Sequence, residues 1–203
     1  MSELNTADLA DLATTFGATL PDWVLEEITA SAAPTSDGER MALVHRLAAR
    51  NFREGSGGPF AALVADCTDG AILSVGVNLV LASGLSGLHA EMVALSLAQT
   101  RLQRWDLSGH GPCEIVVNWR PCVMCYGAVM WSGVQRLVIA GEGDVVEELT
   151  GFDEGPMVPD WKEQFARRGI EVVVGVQRQQ ALETFADFGR SGAVVYNGRQ
   201  SQA

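Results

Sequence analysis

A chain of 203 residues, 47% hydrophobic and 19% charged, can bury one full-sized core, which excludes a disordered polymer and favours one domain over two. Its net charge of −11 repels phosphate backbones, so it argues against a nucleic-acid substrate and for a small uncharged one, though it serves plain solubility equally well. No basic leader with an apolar core opens the chain and no apolar run is long enough to span a bilayer, so no membrane partner is expected and the cytoplasm is the expected compartment.

The spacing of Leu9, Leu12, Ala13 and Phe16 predicts a helix over Ala7–Phe16. Pro21 opens a second helix, on which Trp23, Val24, Ile28 and Ala32 form an apolar stripe. The run of Pro, Thr, Ser, Asp and Gly within Ala33–Gly38 breaks the pattern. Residues 1–38 are therefore read as a helical extension, too short to fold alone, packed onto a domain of residues 39–190. That domain begins with a helix over Glu39–Phe52, with Met41, Val44, His45 and Ala48 on one face, ended by the Gly-rich stretch Glu54–Pro59. Phe60–Ala65 and Ala71–Asn78 read as a hairpin around the turn at Cys67–Gly70. After a Gly/Ser loop at Leu81–Leu88 come a helix (His89–Leu102), a strand (Cys113–Trp119), a helix (Cys122–Ser132) and a strand (Arg136–Ala140). A helix at Trp161–Arg168, a strand at Ile170–Val176 and a helix at Ala181–Phe188 follow. Gly189 is read as the start of the tail, and 191–203 as the tail proper, with one apolar patch at Ala193–Tyr196. A hairpin followed by alternating helices and strands implies an α/β fold: a three-layer α/β/α arrangement with a mixed sheet of about five strands and helices on both faces.

Two short motifs carry chemistry. His89-Ala90-Glu91 opens one predicted helix, and Pro121-Cys122-Val123-Met124-Cys125 opens another directly after a strand. In a reducing compartment a close cysteine pair reads first as a metal site or a redox pair. Cys122 and Cys125 are three apart, so on a first helical turn they face one side, and a helix N-terminus favours the thiolate that zinc binds. His89 supplies a nitrogen. Three such ligands hold one Zn²⁺ per chain and leave the fourth tetrahedral position for water, as in catalytic zinc sites. His45, His110, Cys67 and Cys113 have no motif spacing to this set. Glu91 lies beside the metal without ligating it, placed to take a proton from water and deliver it to a ring nitrogen and a leaving amine. A lone His-x-Glu is a weak signal, and a lone Cys-x-x-Cys also suits a thioredoxin-like pair or a structural zinc. The two together, with Pro before the first cysteine, favour catalytic zinc.

At these residues the chain resembles the cytidine deaminase-like superfamily, whose signature is H-x-E…P-C-x-x-C. Within it the likeness is greatest to guanine deaminase and other nucleobase deaminases. It is carried by Gly57–Ala62 against G-G-P-F-G-A, Gly76-Val77-Asn78 against G-x-N, and Leu88–Met92 against x-H-A-E-V/M. Cys122–Trp131 is similar to C-P-M-C-x-G-A-I-x-W, and Gly151-Phe152-Asp153-Glu154 to G-F-D-D. The resemblance implies that Asn78 hydrogen-bonds a substrate ring, that Phe60 packs on it, and that backbone amides near Ala90 and Cys122 orient water or a ring carbonyl. It also implies that Asp153 or Glu154 meets an exocyclic amine and that Tyr196 closes the pocket. Each also has a structural reading: Asn78 as a turn residue, Phe60 as core, the two acids as solvated charges, and Tyr196 as a chance aromatic in a loose tail.

One departure is plain. Where the family has Thr/Ser-x-x-Glu-Pro-Cys, this chain has Val117-Asn118-Trp119-Arg120-Pro121-Cys122. Trp119 and Arg120 therefore stand beside the site as new contacts, with Arg120 able to donate to a ring carbonyl or pair with a surface carboxylate.

The resemblance implies hydrolysis of an amino group on a nitrogen heterocycle, with release of ammonia. Guanine is the first candidate, and cytosine-, pterin- and triazine-like rings share the same amidine unit. A tRNA adenosine deaminase is the alternative, because Ile170–Phe188 also resembles that branch. Against it stand the acidic charge and the lack of a basic C-terminal helix, Arg190 and Arg199 being isolated. A non-catalytic zinc module is a third reading, and Glu91, which neither fold nor metal needs, argues against it. The family likeness also implies a homodimer. Trp23 and Trp131 are read as core residues first and as interface aromatics second.

Overall fold

The computed structural model describes residues 12–30 and 33–198. Residues 12–20 form no helix, and Leu12 and Phe16 stand exposed, so the expected first helix is not found over the described part of Ala7–Phe16; residues 7–11 lie outside the described residues. The periodicity there has no surface to pack on, and a helix that short is marginal in water by itself. Pro21 does precede a helix, α1 (Asp22–Thr29), which buries Trp23 and Val24 in the core; Ala32, on the expected stripe, is outside the described residues. The helix α2 (Asp37–Arg53) starts earlier than the apolar spacing places it, because Ser36 and Glu39 close a reciprocal capping box.

The sheet has five strands: β1 (Ala61–Asp66), β2 (Ile72–Val77), β3 (Cys113–Val117), β4 (Arg136–Ile139) and β5 (Glu171–Val174), in the order β2-β1-β3-β4-β5. β1 is antiparallel to both β2 and β3, while β3, β4 and β5 run parallel, so the sheet is mixed as expected. Side chains alternate between two cores, which explains the near-continuous apolar runs. Ala61, Leu63, Ala65, Val116 and Val138 join the core that also takes α2 and the last helix, α8 (Arg178–Ser191). Ala62, Val64, Ile115, Val117, Leu137 and Ile139 join the other core. There they meet α4 (Ala90–Leu102), α5 (Val123–Ser132) and α7 (Trp161–Ala166).

Three differences from the sequence reading have local causes. The Leu81–Leu88 loop is preceded and entered by a one-turn helix, α3 (Val80–Ser83), and α6 (Val145–Thr150) occupies a stretch with no predicted element. Both are too short for a periodic signal. Gly189 does not start the tail but lies within α8. A Cβ there would fall 2.1 Å from the Leu149 carbonyl oxygen, so this glycine marks where α6 crosses α8. Gly76 has the same use: a Cβ would lie 2.2 Å from the Ala90 oxygen and 2.5 Å from the Ala94 nitrogen, so α4 sits directly on β2. That contact fixes the start of α4, and with it His89 and Glu91, over the end of the strand.

His45 lies on the buried face of α2, where burial pushes its imidazole down to about 4 against an opposing pull from the Gln177 backbone. The folded state therefore holds it neutral while the unfolded chain protonates it below about 6.5. Its contribution to stability is complete above that value and is lost as pH falls toward 4, at roughly 1.4 kcal/mol per unit. Urea unfolding at pH 7 and pH 5 is expected to show this loss in the natural chain and a markedly smaller one in His45→Leu.

Candidate active site

The strand register gathers the site. Ala61 pairs with Val77 and Ala62 with Val117, so the start of β1 lies at the same edge as the ends of β2 and β3. Val117 pairs in turn with Ile139, which brings the end of β4 to the same place. Phe60, Asn78 and Asn118–Arg120 are thus the residues just off one edge of the sheet, where α/β folds hold ligands. A cavity of about 160 Å³ opens there. Its lining includes Phe60, Asn78, His89, Glu91, Trp119, Arg120, Cys122, Phe152, Asp153, Glu154 and Tyr196. That space is below the roughly 300 Å³ at which drug-sized pockets begin, and suits one small ring system.

His89 and Cys122 are the N-cap residues of α4 and α5. Their carbonyls accept the first helical bonds, from Val93 at 3.0 Å and Tyr126 at 2.8 Å. Two helix N-termini therefore meet at the cavity, where unpaired N–H groups favour negative charge. Cys125, in the first turn of α5, is buried beside Cys122. His89 Nδ1 is 3.5 Å from Cys122 Sγ, and the ligand atoms of His89, Cys122 and Cys125 all lie within 4.8 Å of one another. Zn–S bonds of about 2.3 Å and a Zn–N bond of about 2.0 Å at the tetrahedral angle set an N···S edge of about 3.5 Å. The donors thus fit zinc both in kind and in spacing. The Cys122 thiol is pushed down to about 4, chiefly by a hydrogen bond from Cys125 and further by His89, with burial opposing. That shift favours the thiolate form in which a cysteine binds zinc, while the same contact with Cys122, then burial, raises the Cys125 thiol.

Glu91 is buried in the first turn of α4; burial, then the Cys122 charge, raises its carboxyl, and His89 opposes. Ala90 is the first residue of α4, and its amide has no partner within the helix. Phe60 packs against Phe152 at 5.6 Å and Phe185 at 5.7 Å between ring centres. Trp119 is 1% exposed, so its bulk is absorbed into the wall: its indole N–H donates to the Gly143 carbonyl at 3.1 Å and its ring meets Phe185 edge-on at 5.4 Å. Gly141 makes the room, since a Cβ there would lie 2.4 Å from the indole.

Arg120 lines the cavity with no ion pair among the described residues, and its Nε is buried without a hydrogen-bond partner. No carboxylate among the described residues forms an ion pair with it. Asp153 is exposed at the rim and Glu154 part-buried. Glu154 is pushed up to about 8, mainly by burial and then by the charges of Cys122 and Glu91, with His89 and Arg120 pulling the other way. A dication on the three donors would lower it again.

Other residues of the site escape sequence reasoning. Asn51, buried on α2, donates through Nδ2 to the Gly58 and Asn78 carbonyls at 2.9 and 2.8 Å. Asn118 donates to the Pro59 carbonyl at 2.9 Å and accepts from the Ala61 amide at 3.1 Å, clamping the segment that carries Phe60. Asn197 accepts from the Asp153 amide at 3.0 Å and donates to the Gly151 carbonyl at 2.9 Å. Their only signal is an asparagine beside apolar residues, which names no partner. Trp131, read first as core, is instead 84% exposed, while Trp23 is core at 8%.

Residues 34–141 match the cytidine and deoxycytidylate deaminase zinc-binding region. The guanine deaminase of Bacillus subtilis is 34% identical over 108 residues, 53% of this chain and 65% of that protein, so the match spans just under two thirds of the relative's length. A tRNA-specific adenosine deaminase of Aquifex aeolicus is 32% identical over 113 residues, 54% of this chain and 71% of that one. Among solved structures, the guanine deaminase of Nitrosomonas europaea superposes with a TM-score of 0.81 at 37% identity, covering 88% of this chain and 98% of the other. With the three donors at zinc spacing and more than half the chain matched, this protein belongs to the zinc-dependent cytidine and deoxycytidylate deaminase family, hydrolases of C–N bonds.

Proposed function

We propose that the protein deaminates a free aminated purine base, guanine first among them, by hydrolysis. The observation that carries this reading is a zinc-type donor set with the Glu91 carboxyl beside it in a cavity sized for one small ring. The likeness to the Nitrosomonas guanine deaminase over 98% of that chain supports guanine as the ring. His89, Cys122 and Cys125 would hold the zinc, and zinc there supplies the activation of water. Glu91 takes a proton from the attacking water and passes it to the ring nitrogen next to the reacting carbon; it then takes the second proton, from the newly formed hydroxyl, and gives it to the leaving amine. The new C–O bond replaces C–N, and ammonia departs. Asn78 and Phe60 hold the ring, and Arg120, Asp153 and Glu154 line the same cavity, Glu154 close enough to feel the charges of Cys122 and Glu91.

A tRNA substrate is supported by the Aquifex relative, but the net charge of −11 and the small cavity weigh against a phosphate backbone. Ammonia release should be measured from guanine, cytosine, aminated triazines and pterins, the matching nucleosides, and tRNA. Turnover of guanine with silence on tRNA is expected; turnover of tRNA alone would reverse the choice.

The protein is further proposed to work as a cytoplasmic homodimer, and no helix among the described residues is long and apolar enough to cross a membrane. α5 carries no charged residue, and Val123, Met124 and Trp131 leave it apolar and exposed. A face of that kind calls for a partner, and a two-fold copy is the simplest. Light scattering at micromolar concentration should give twice the chain mass, and Trp131→Glu should shift it toward the monomer. A natural chain that is monomeric throughout would contradict the dimer.

A further inference from the structure

We infer that Tyr196 is a positioning residue that locks the Asn78 amide with its NH₂ group turned to the cavity, so that the site selects rings whose non-reacting edge presents hydrogen-bond acceptors. The inference rests on the deaminase reading for its substrate but on hydrogen-bond polarity for its geometry.

Asn78 Oδ1 lies 3.1 Å from the Val80 backbone N–H, and an amide proton can be met only by an acceptor. That contact assigns the oxygen. The Tyr196 hydroxyl, 2.5 Å from the same Oδ1, itself accepts from the Gly58 backbone N–H at 2.9 Å. With one lone pair taken, the hydroxyl proton is free to donate to Oδ1. Two backbone donors, at Gly58 and Val80, thus dictate the direction of every bond in the chain Gly58, Tyr196, Asn78, Val80. Reversing the amide would set NH₂ against the Val80 N–H and leave the tyrosine proton without an acceptor.

Two adjacent glycines build the arrangement. A Cβ at Gly57 would lie 2.4 Å from Asn78 Oδ1, and a Cβ at Gly58 would lie 2.9 Å from the tyrosine oxygen. The Gly57-Gly58 pair therefore makes room for the two polar side chains to meet. Asn51 holds the backbone beneath them by donating to both the Gly58 and Asn78 carbonyls. The Tyr196 ring is held independently, against Phe152 at 4.8 Å, so the hydroxyl has a fixed mount. Asn78 itself is 2% exposed and lines the cavity, and no described residue accepts from its Nδ2. What that NH₂ group faces is the bound ring. It offers protons alone, so a carbonyl or an unprotonated ring nitrogen satisfies it and a ring N–H or amine does not.

Tyr196→Phe keeps the ring packing and removes only the hydroxyl. Because the Asn78 bond is made in ground and transition states alike, KM for guanine is expected to rise about tenfold with kcat within about twofold and zinc content unchanged. In an Asn78→Ala background the same substitution should change KM by less than about twofold, since there is no amide left to orient. Equal KM effects in the two backgrounds would make Tyr196 a plain lid and overturn the inference. A second readout needs no turnover. The Asn78 side-chain NH₂ resonances, assigned by their loss in Asn78→Ala, should move or broaden in Tyr196→Phe, and unchanged resonances would also overturn it. If the natural chain releases no ammonia from guanine, the substrate reading fails by itself, and the resonances still decide the role of Tyr196.

Discussion

Glu91→Gln is expected to bind zinc as the natural chain does and to lose at least about 10²-fold in kcat, the low end for a general acid–base residue. Glutamine matches the size of the buried carboxyl in the first turn of α4, so packing against Cys125 and the donors survives. What it cannot do is carry the two protons of the attacking water, the first to the ring nitrogen and the second to the leaving amine. The loss should therefore fall on kcat and kcat/KM together, with KM little changed. Metal analysis separates this outcome from trivial loss of the site. Retained zinc with unchanged turnover would remove Glu91 from the mechanism.

Cys125→Ser is expected to be more severe, since it takes away a ligand rather than a proton carrier. Two donors remain, and a catalytic zinc needs three. Zinc content should fall to near zero and ammonia release to background. Thermal stability should drop as well, because a ligand that binds only the folded chain stabilises it by mass action. A strong chelator should reproduce the loss in the natural protein, and added zinc should reverse it. If Cys122 and Cys125 were instead a redox pair, chelation would leave activity intact while thiol oxidation and reduction would move it. Activity that survives both Cys125→Ser and chelation would refute the metal site.

The zinc set was readable from the sequence because each part of it is local. His89 caps the helix whose first turn carries Glu91, and Cys122 caps the helix whose first turn carries Cys125, so two short motifs at two helix starts bring all four residues together. The sheet was readable because alternation along β1, β3 and β4 splits cleanly between two apolar cores. What stayed hidden depends on elements that meet only in three dimensions. Gly189 looks like a helix end until Leu149 is seen against it, and Gly57-Gly58 looks like a loop until Asn78 and Tyr196 fill the space. Asn51, Asn118 and Asn197 serve backbone groups that no local pattern identifies. Trp131 misled in the other direction. A tryptophan in an apolar helix suggests the core, yet this one points outward, as an interface with a second chain would require. At Trp119 and Arg120 the chain departs from its family's motif, and the structure shows two different accommodations. The indole is buried against Phe185, while the guanidinium keeps an unpartnered Nε at the cavity.

The most direct test of zinc-dependent hydrolysis is to incubate the zinc-loaded protein with guanine in heavy-oxygen water and to follow ammonia and the mass of the purine product together. The account predicts one ammonia per product molecule, with heavy oxygen at the carbon that carried the amine, and no product after the zinc is stripped. No ammonia from guanine, or a product that forms without oxygen from water, would contradict it.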